Sequence, residues 1–228
     1  TDPRGKKYIE AEYDANGRVS KQTTGDGGGN TFAYTLKGEL VEATTVVDPR
    51  NVESKTTFNT DGYPTSAVRA TGTGVQQTTT YEREGGTGQL QSVTDPHGRK
   101  TTYKQDKYGN VTQVTRLAGT GSARTVNYTY EPGTNELASV TDALKHTTKY
   151  QYGPKGELLS IADPLAHKTS YEYNAEGHPT AITNALGKTT KLAYENGVPV
   201  SSTDPLGRRT SRFVDALGRV GAVTRPGR

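Results

Sequence analysis

Short runs of alternating polar and apolar residues recur along this chain, and Thr and Tyr dominate them. In Lys168–Tyr173 two tyrosines stand two positions apart, which places both on one face of an extended strand. The turn sequence Asn174-Ala-Glu-Gly177 follows, and Ile182 is the apolar anchor of a returning strand. The pattern predicts a β-hairpin with strands of about six residues.

Two kinds of turn separate the predicted strands. One follows the tyrosines and ends in Gly, where an initial Asx can hydrogen-bond the backbone ahead of it and Gly accepts a positive φ. The other is an Asx-Pro/Ala-x-Gly sequence, in which Pro sets φ at the second position. Its clearest copies recur at intervals of 20 or 21 residues and begin at Asp142, Asp163, Asn184 and Asp204.

A longer period covers the first part of the chain. There the Asp-Pro turns begin at Asp2, Asp48 and Asp95, about 47 residues apart. Gly-rich connections lie midway, at 24–29, 71–74 and 118–121. We therefore predict a single repeat array over residues 1–228, with double units of about 47 residues in 1–141 and units of about 21 residues in 142–228. About ten hairpin units fill the chain, without a domain boundary.

Connections of about four residues are too short for a crossover between parallel strands, so each strand must pair antiparallel with the preceding one. We predict an all-β fold of repetitive antiparallel β-hairpins that form one long, curling, spiral sheet. Tyr side chains should form ladders with Leu and Val of neighbouring hairpins. In residues 156–162, Leu159 and Ile161 would share a face that Leu158 does not, so either both faces are partly buried or a bulge shifts the register.

The composition favours a β structure over a helical bundle or a disordered chain. Leu, Ile, Val and Phe make up only 36 of 228 residues, but 14 Tyr argue against disorder. The absence of Cys excludes disulfides, Cys-based zinc fingers, iron–sulfur clusters and thiol catalysis. The net charge of +4 comes from interspersed charges, which predicts a solvated surface and no nucleic-acid partner. We expect no membrane span and no signal peptide, and interpret the chain as a piece of a longer polypeptide.

No residue is predicted to be catalytic, to bind a cofactor or to hold a metal. The regular Asp residues begin turns and would lie about 10 Å apart in the sheet, too far to share a calcium ion. The Gly-rich stretches lack the Gly-Lys-[Ser/Thr] ending of a phosphate loop, and no Gly-x-Ser-x-Gly occurs. The tyrosine stripe is expected to be core, with carbohydrate or partner contact as the alternative. Solvated turn positions are expected for His97, His146, His167 and His178.

Several segments resemble the YD repeat of RHS proteins, and the resemblance covers essentially the whole chain. The matching segments are Tyr13-Asp-Ala-Asn-Gly17-Arg18-Val19, Thr94-Asp-Pro-His-Gly98-Arg99 and Thr203-Asp-Pro-Leu-Gly207-Arg208, with a further copy at Val214–Val220. Gln105 replaces the second Tyr of its unit, and Asn51 and Ala166 replace the turn Gly. These departures are expected to affect local geometry more than the family assignment.

The resemblance implies a section of a hollow RHS β-shell that encloses a C-terminal toxin or effector domain. Its implied partners are the remainder of the shell, the enclosed domain, and components of type VI secretion or of an insecticidal toxin complex (Tc toxin, B and C subunits). It also implies a bacterial protein that is secreted or at the cell surface. The self-cleaving segment of the family surrounds a Trp, which this chain lacks, so autoproteolysis is not carried over.

Two functions fit this reading. The first is a non-enzymatic structural wall that encapsulates a toxin domain for delivery to other cells. The second is a cell-surface adhesion or carbohydrate-binding repeat module, which uses exposed Tyr and Thr and for which the barrel of animal teneurins is the precedent. A glycan-cleaving β-solenoid is disfavoured because parallel coils lack these reversals and no carboxylate pair stands out. As an isolated fragment, the chain is expected to expose strand edges and to self-associate edge to edge.

Overall fold

The computed structural model describes residues 3, 5, 7–215 and 217–225, which contain twenty β-strands and no helix. Accordingly, no helix in this part of the chain is long and apolar enough to cross a membrane. The chain divides into two compact units, Thr1–Thr125 and Val126–Arg228.

The first unit is a run of antiparallel hairpins, in which each strand pairs with the next one in chain order. Its strands are β1 Ile9–Tyr13, β2 Val19–Thr24, β3 Gly29–Lys37, β4 Leu40–Val47, β5 Glu53–Phe58, β6 Pro64–Arg69, β7 Gln77–Arg83, β8 Leu90–Thr94, β9 Lys100–Gln105 and β10 Val111–Arg116. Of the predicted Gly-rich connections, 24–29 joins β2 to β3 and 71–74 joins β6 to β7.

The second unit repeats the same order of pairing, from β11, which begins just before it, to β20. Its strands are β11 Arg124–Tyr130, β12 Leu137–Thr141, β13 Thr147–Tyr152, β14 Leu158–Ala162, β15 Lys168–Tyr173, β16 Pro179–Thr183, β17 Thr189–Glu195, β18 Val198–Thr203, β19 Arg209–Val214 and β20 Val220–Thr224. The predicted all-β fold of repeated antiparallel hairpins is confirmed.

Two kinds of hairpin alternate along each unit. In the first kind, here called bulged hairpins, the register shifts by a β-bulge next to the turn, as between Gln151 and Tyr152 in β13–β14. In the second kind, the regular hairpins, the register is unbroken, as in β14–β15. Because a bulge bends the strand and increases its twist, a bend recurs once per pair of strands. The bulged hairpins are β1–β2, β3–β4, β5–β6, β7–β8, β9–β10, β11–β12, β13–β14, β15–β16, β17–β18 and β19–β20.

The bulge settles the register of residues 156–162. Tyr150 lies opposite Ile161, and Tyr152 lies opposite Leu158. Since the two tyrosines share a face, Leu158 and Ile161 share it as well. Leu159, at 39% exposure, is the extra residue of the bulge. The alternative of a bulge is therefore confirmed, and the expected pairing of Leu159 with Ile161 on one face is wrong.

Among the described residues, buried side chains are few and small. They are Ala43 and Ala181 among the apolar residues, and Ser92, Ser160 and Ser201 among the polar ones. All five lie in the returning strands of bulged hairpins, β4, β8, β14, β16 and β18. The tyrosines pair with Val or Ile on the other face, as Tyr81 does with Val93 and Tyr150 with Ile161, and both are half-buried, so the sheet has no thick apolar core of its own.

Long polar side chains from flanking strands cover these small residues. Ser92 Oγ donates to Glu82 Oε2 at 2.7 Å, and Lys100 Nζ donates to the same oxygen at 2.8 Å. The second unit repeats the arrangement with an amide, since Ser160 Oγ donates to Gln151 Oε1 at 2.9 Å. Because the buried residue is small, a side chain of the strand before it can contact a side chain of the strand after it, as Glu82 of β7 and Lys100 of β9 do beside Ser92 of β8.

Candidate functional site: the repeated turns and their ring contacts

The turn Asp95–Arg99 shows how a regular hairpin closes. Asp95 N donates to Arg99 O at 3.1 Å, and Gly98 N donates to Asp95 O at 2.9 Å. Asp95 Oδ1 accepts the backbone N–H groups of His97 and Arg99, both at 2.9 Å. Arg99 Nε donates to Asp95 Oδ2 at 2.6 Å. One aspartate therefore organises the whole reversal.

The same network recurs in both kinds of hairpin. In each copy the side-chain oxygen of the first residue, here called the Asx head, accepts the backbone N–H groups two and four positions ahead. The heads are Asp14, Asp48, Asn59, Asp95, Asp106, Asp142, Asp163, Asn174, Asn184, Asp204 and Asp215. The turn predicted to begin at Asp2 lies outside the described residues. The regular spacing of Asp and Asn thus has a structural cause.

These hydrogen bonds lower the pKa of the Asp heads. For Asp95 and Asp142 the largest cause is the N–H donated by the backbone four residues ahead, which stabilises the carboxylate. For Asp204 desolvation raises the pKa, but hydrogen bonds from the Arg208 backbone and guanidinium outweigh it, and the pKa is again lowered. A carboxyl group with a lowered pKa stays ionised at neutral pH and is a poor general acid.

Two of the four histidines take the place of the turn arginine. His146 Nδ1 lies 3.1 Å from Asp142 Oδ2, and His167 Nδ1 lies 2.9 Å from Asp163 Oδ2. Both rings are exposed, as is His97, which agrees with the expected solvated positions. No group of three or more His, Asp or Glu residues that could hold a metal occurs among residues 7–215 and 217–225.

His178 departs from that expectation because its ring is packed. It stacks on Tyr194 with ring centroids 4.9 Å apart and an interplanar angle of 18°. Its side chain is 34% exposed, and Glu176 Oε2 lies 3.4 Å from its Nδ1. Cation–ring contacts link successive bulged hairpins in the first unit in the same way, at Arg18–Tyr34 (5.0 Å) and Arg83–Tyr63 (4.9 Å).

A tyrosine hydroxyl joins each of several strands to the hairpin before it. Tyr173 Oη donates to the backbone carbonyl of Leu158 at 2.9 Å, and burial raises the pKa of this phenol, which remains a donor. Tyr34 makes the equivalent bond to Val19. Where Gln105 replaces this Tyr, its Nε2 donates to the carbonyl of Leu90 at 2.7 Å. The replacement preserves the hydrogen bond, although sequence reasoning did not anticipate it.

The replaced turn glycines also keep the repeat geometry. Asn51 and Ala166 have φ values of 63° and 64°, in the left-handed region that Gly occupies elsewhere. Ala166 N still donates to Asp163 O at 3.0 Å. The expectation that these substitutions alter the local geometry is therefore wrong, because the hydrogen bonds of the Asx head hold the backbone in place.

An open groove of about 450 Å³ lies in the second unit, on the face that carries Ser160. Lys149, Gln151 and Lys168 line it together with Ser139. Ammonium, amide and hydroxyl groups of this kind can bind hydroxylated or anionic molecules by hydrogen bonds. The carboxylate of Glu131 adds an acceptor to this lining, and the groove is a candidate for binding.

Comparison with known proteins agrees with this architecture. A family model described as the teneurin YD-shell matches residues 56–214, more than half of the chain. A search of curated proteins finds no match.

Solved structures share the fold at low sequence identity. The crystal structure of TcdB2-TccC3-Cdc42 has a TM-score of 0.62 and 14% identity, over 96% of this chain and 15% of that chain. TcdB2-TccC3 without the hypervariable C-terminal region has a TM-score of 0.61 and 13% identity, over 94% of this chain and 15% of that chain. The Tc holotoxin pore of Photorhabdus luminescens has a TM-score of 0.61 and 14% identity, over 94% of this chain and 14% of that chain. This chain thus spans about 15% of the length of those structures, and the resemblance to RHS/YD-repeat proteins is confirmed.

Proposed function

Because the chain belongs to the teneurin YD-shell family, we propose that residues 1–228 are one repeat array that forms a non-enzymatic wall segment of an RHS shell. The shell encloses a C-terminal toxin or effector domain and keeps it from the producing cell until delivery. Its partners are the rest of the shell, the enclosed domain and components of a Tc toxin or type VI apparatus. The complete protein acts after secretion or at the cell surface.

The observation that carries this proposal is the self-sufficiency of the repeated turn. In Asp204–Arg208 the backbone N–H groups of Leu206, Gly207 and Arg208 and the carbonyl of Arg208 are all satisfied within the turn. The same arrangement recurs along both units, alternately with and without a bulge. The Asx side chains stabilise the turns that place successive strands side by side, and a wall requires such a repeated arrangement.

Limited proteolysis of the complete protein with a C-terminal tag tests the containment. We expect the tagged domain to resist protease in the wild type and to be cleaved when Asp163 and Asp204 are both replaced by Ala, because the wall then loosens. The matched control replaces both by Asn, the residue found at the heads of two neighbouring turns, Asn174 and Asn184. Equal cleavage of the tagged domain in wild type and Ala variant would count against containment.

The groove of the second unit favours binding of carbohydrate or another surface ligand as a second candidate function. Lys149, Gln151 and Lys168 would donate hydrogen bonds to such a ligand. A glycan array with the 228-residue chain tests it, with the Gln151→Ala variant as comparison. Saturable binding that this substitution abolishes supports an adhesion module. If no glycan binds, carbohydrate binding is no longer a candidate function.

A further inference from the structure

The groove of the second unit contains a row of three directly opposed residues. Lys149 of β13 lies opposite Ala162 of β14, and Ala162 lies opposite Lys168 of β15. Directly opposed residues of an antiparallel sheet project from the same face, and all three line the groove. The Cα atoms of the two lysines are two strand spacings apart, which is about 10 Å. Two exposed lysines therefore flank the small side chain of Ala162.

The equivalent row of the first unit carries a different charge. Thr80 of β7 lies opposite Thr94 of β8, and Thr94 lies opposite Lys100 of β9. Thr80 therefore stands where the second unit has Lys149. Glu82 Oε2 lies 2.8 Å from Lys100 Nζ, so the cation of this row is paired with a carboxylate. Together, these side chains of the first unit are neutral.

The second unit lacks the carboxylate of that pair. Gln151 takes the place of Glu82, and Lys168 Nζ lies 3.4 Å from its Oε1, which is a neutral acceptor. In the described part of the chain, neither Lys149 nor Lys168 lies within ion-pair distance of a carboxylate. Glu131 is the one acidic residue among the described residues that line the groove. The lining therefore keeps a positive charge that the first unit neutralises.

The groups of the lining define the chemistry of a ligand. The ammonium groups of Lys149 and Lys168 bind an acidic group by charge-assisted hydrogen bonds. The hydroxyl of Ser139, the amide of Gln151 and the carboxylate of Glu131 can exchange hydrogen bonds with ligand hydroxyls. The volume of about 450 Å³ is that of a site for a small organic molecule and exceeds the need of an inorganic anion. A hydroxylated molecule with an acidic group satisfies both requirements.

We propose that this groove binds an acidic carbohydrate, a sugar chain whose sulfate or carboxylate group lies between Lys149 and Lys168. The inference rests on the second candidate function, binding at the groove, and is independent of the wall. Because the groove is open, sugars on either side of the bound residue can continue along the face of the sheet. Charge complementarity then selects an acidic glycan over a neutral one.

Isothermal titration calorimetry of the 228-residue chain tests this with three hexasaccharides: a sulfated one from heparin, an oligogalacturonate and neutral maltohexaose. We expect an acidic probe to bind at least about tenfold more tightly than maltohexaose, because hydrogen bonds to charged groups are the stronger ones. The two acidic probes distinguish sulfate from carboxylate as the recognised group. Equally tight binding of maltohexaose would overturn this inference but not carbohydrate binding, whereas no binding of any probe would overturn both.

Paired substitutions separate the groove from the general positive charge of the chain. Lys149→Gln with Lys168→Gln should weaken binding of the acidic probe at least about tenfold. The matched control is Lys191→Gln with Arg209→Gln, which removes the same charge on either side of Thr203, outside the groove lining. Equal weakening by both variants would overturn the proposal, because net charge alone would then attract the probe. Circular dichroism checks that each variant keeps its β structure.

The substitution Gln151→Glu tests the comparison between the two units. It introduces the carboxylate that Glu82 supplies in the first unit, so an ion pair with Lys168 should form and weaken binding of the acidic probe. Unchanged binding would overturn the role of Lys168. Inorganic sulfate at the concentration of the sugar should not displace it, and displacement would instead indicate a site for the free anion.

Discussion

Bulged and regular hairpins use the same Asx turn but differ in what surrounds it. In bulged hairpins, ring contacts such as His178–Tyr194 tie one turn to the next along the edge. A Cβ at Gly88, in the turn of β7–β8, would collide with the ring of Tyr63. In the regular hairpin β8–β9, a Cβ at Gly98 would meet nothing within 4 Å. Some turns of the bulged hairpins are therefore packed against a neighbouring turn, while the turns of the regular hairpins are held by their own hydrogen bonds.

The fourth position of the Asx turns differs between the two kinds of hairpin. The residues Asn51, Lys145 and Ala166 occupy the left-handed turn position, and all three belong to regular hairpins. The exposed leucines Leu144, Leu165, Leu186 and Leu206 also lie in turns of regular hairpins. Because the hydrogen bonds of such a turn are internal, its outward side chains can vary without loss of those bonds.

The largest expected effect on the free energy of unfolding distinguishes Gly88 from Gly98. Gly88→Ala should lower the free energy of unfolding by about 3 kcal/mol, because a positive φ is strained and Tyr63 must leave its place beside Arg83. Gly98→Ala should lower it by only about 1 kcal/mol, from backbone strain alone. Urea unfolding followed by circular dichroism measures both. Equal losses would show that the bulged edge is no more tightly packed than the regular one.

Removal of an Asx head should have the next largest effect. Asp204→Ala takes away the acceptor of two backbone N–H groups and of the Arg208 guanidinium, so the melting temperature should fall. The melting temperature of Asp204→Asn should fall less. In their own turns Asn174 and Asn184 accept the N–H groups two and four positions ahead with an amide oxygen. Differential scanning calorimetry compares the pair, and an equal drop would make the charge, not the acceptor geometry, decisive.

Acid should destabilise the turns that begin with Asp. Because the folded state lowers the pKa of Asp95 and Asp142 below the ordinary value of 3.8, their contribution is fully present above that value. It is lost as the pH falls through the lowered pKa, when the carboxylate is protonated. Thermal melts between neutral pH and strongly acidic pH should show this loss, and it should be smaller in a variant with both heads changed to Asn. An unchanged acid profile in that variant would contradict the assignment.

The smallest expected effect on stability is an increase. Ala166→Gly relieves the strain of φ at 64° but increases the freedom of the unfolded chain, so we expect stabilisation by about 0.5 kcal/mol. The matched substitution Ala162→Gly, in the neighbouring strand β14, should instead destabilise. Urea unfolding measures both, and a loss of stability in Ala166→Gly would mean that the Asx head already removes the strain.

Local chemistry made the hairpin unit predictable from sequence. An Asx head, a Pro and a Gly act within five residues, so turns such as Asp204–Arg208 could be recognised without knowledge of their neighbours. The bulge at Leu159 could not be placed, because register depends on both strands of a pair. The stack of His178 on Tyr194 could not be predicted either, because it joins two hairpins and depends on the register of both. The recurrent Ala or Ser of the returning strands is the sequence signal for the buried positions.

The closed hydrogen-bond circuit of each turn has a consequence for how such proteins change length. Since the bonds of Asp204–Arg208 begin and end inside the turn, excision or duplication of one strand pair breaks the ladder and the side-chain contacts between hairpins but leaves each turn intact. The ladder then closes again between equivalent strands. Removal or insertion of one strand pair, which is about 21 residues in the second unit, should therefore preserve the fold.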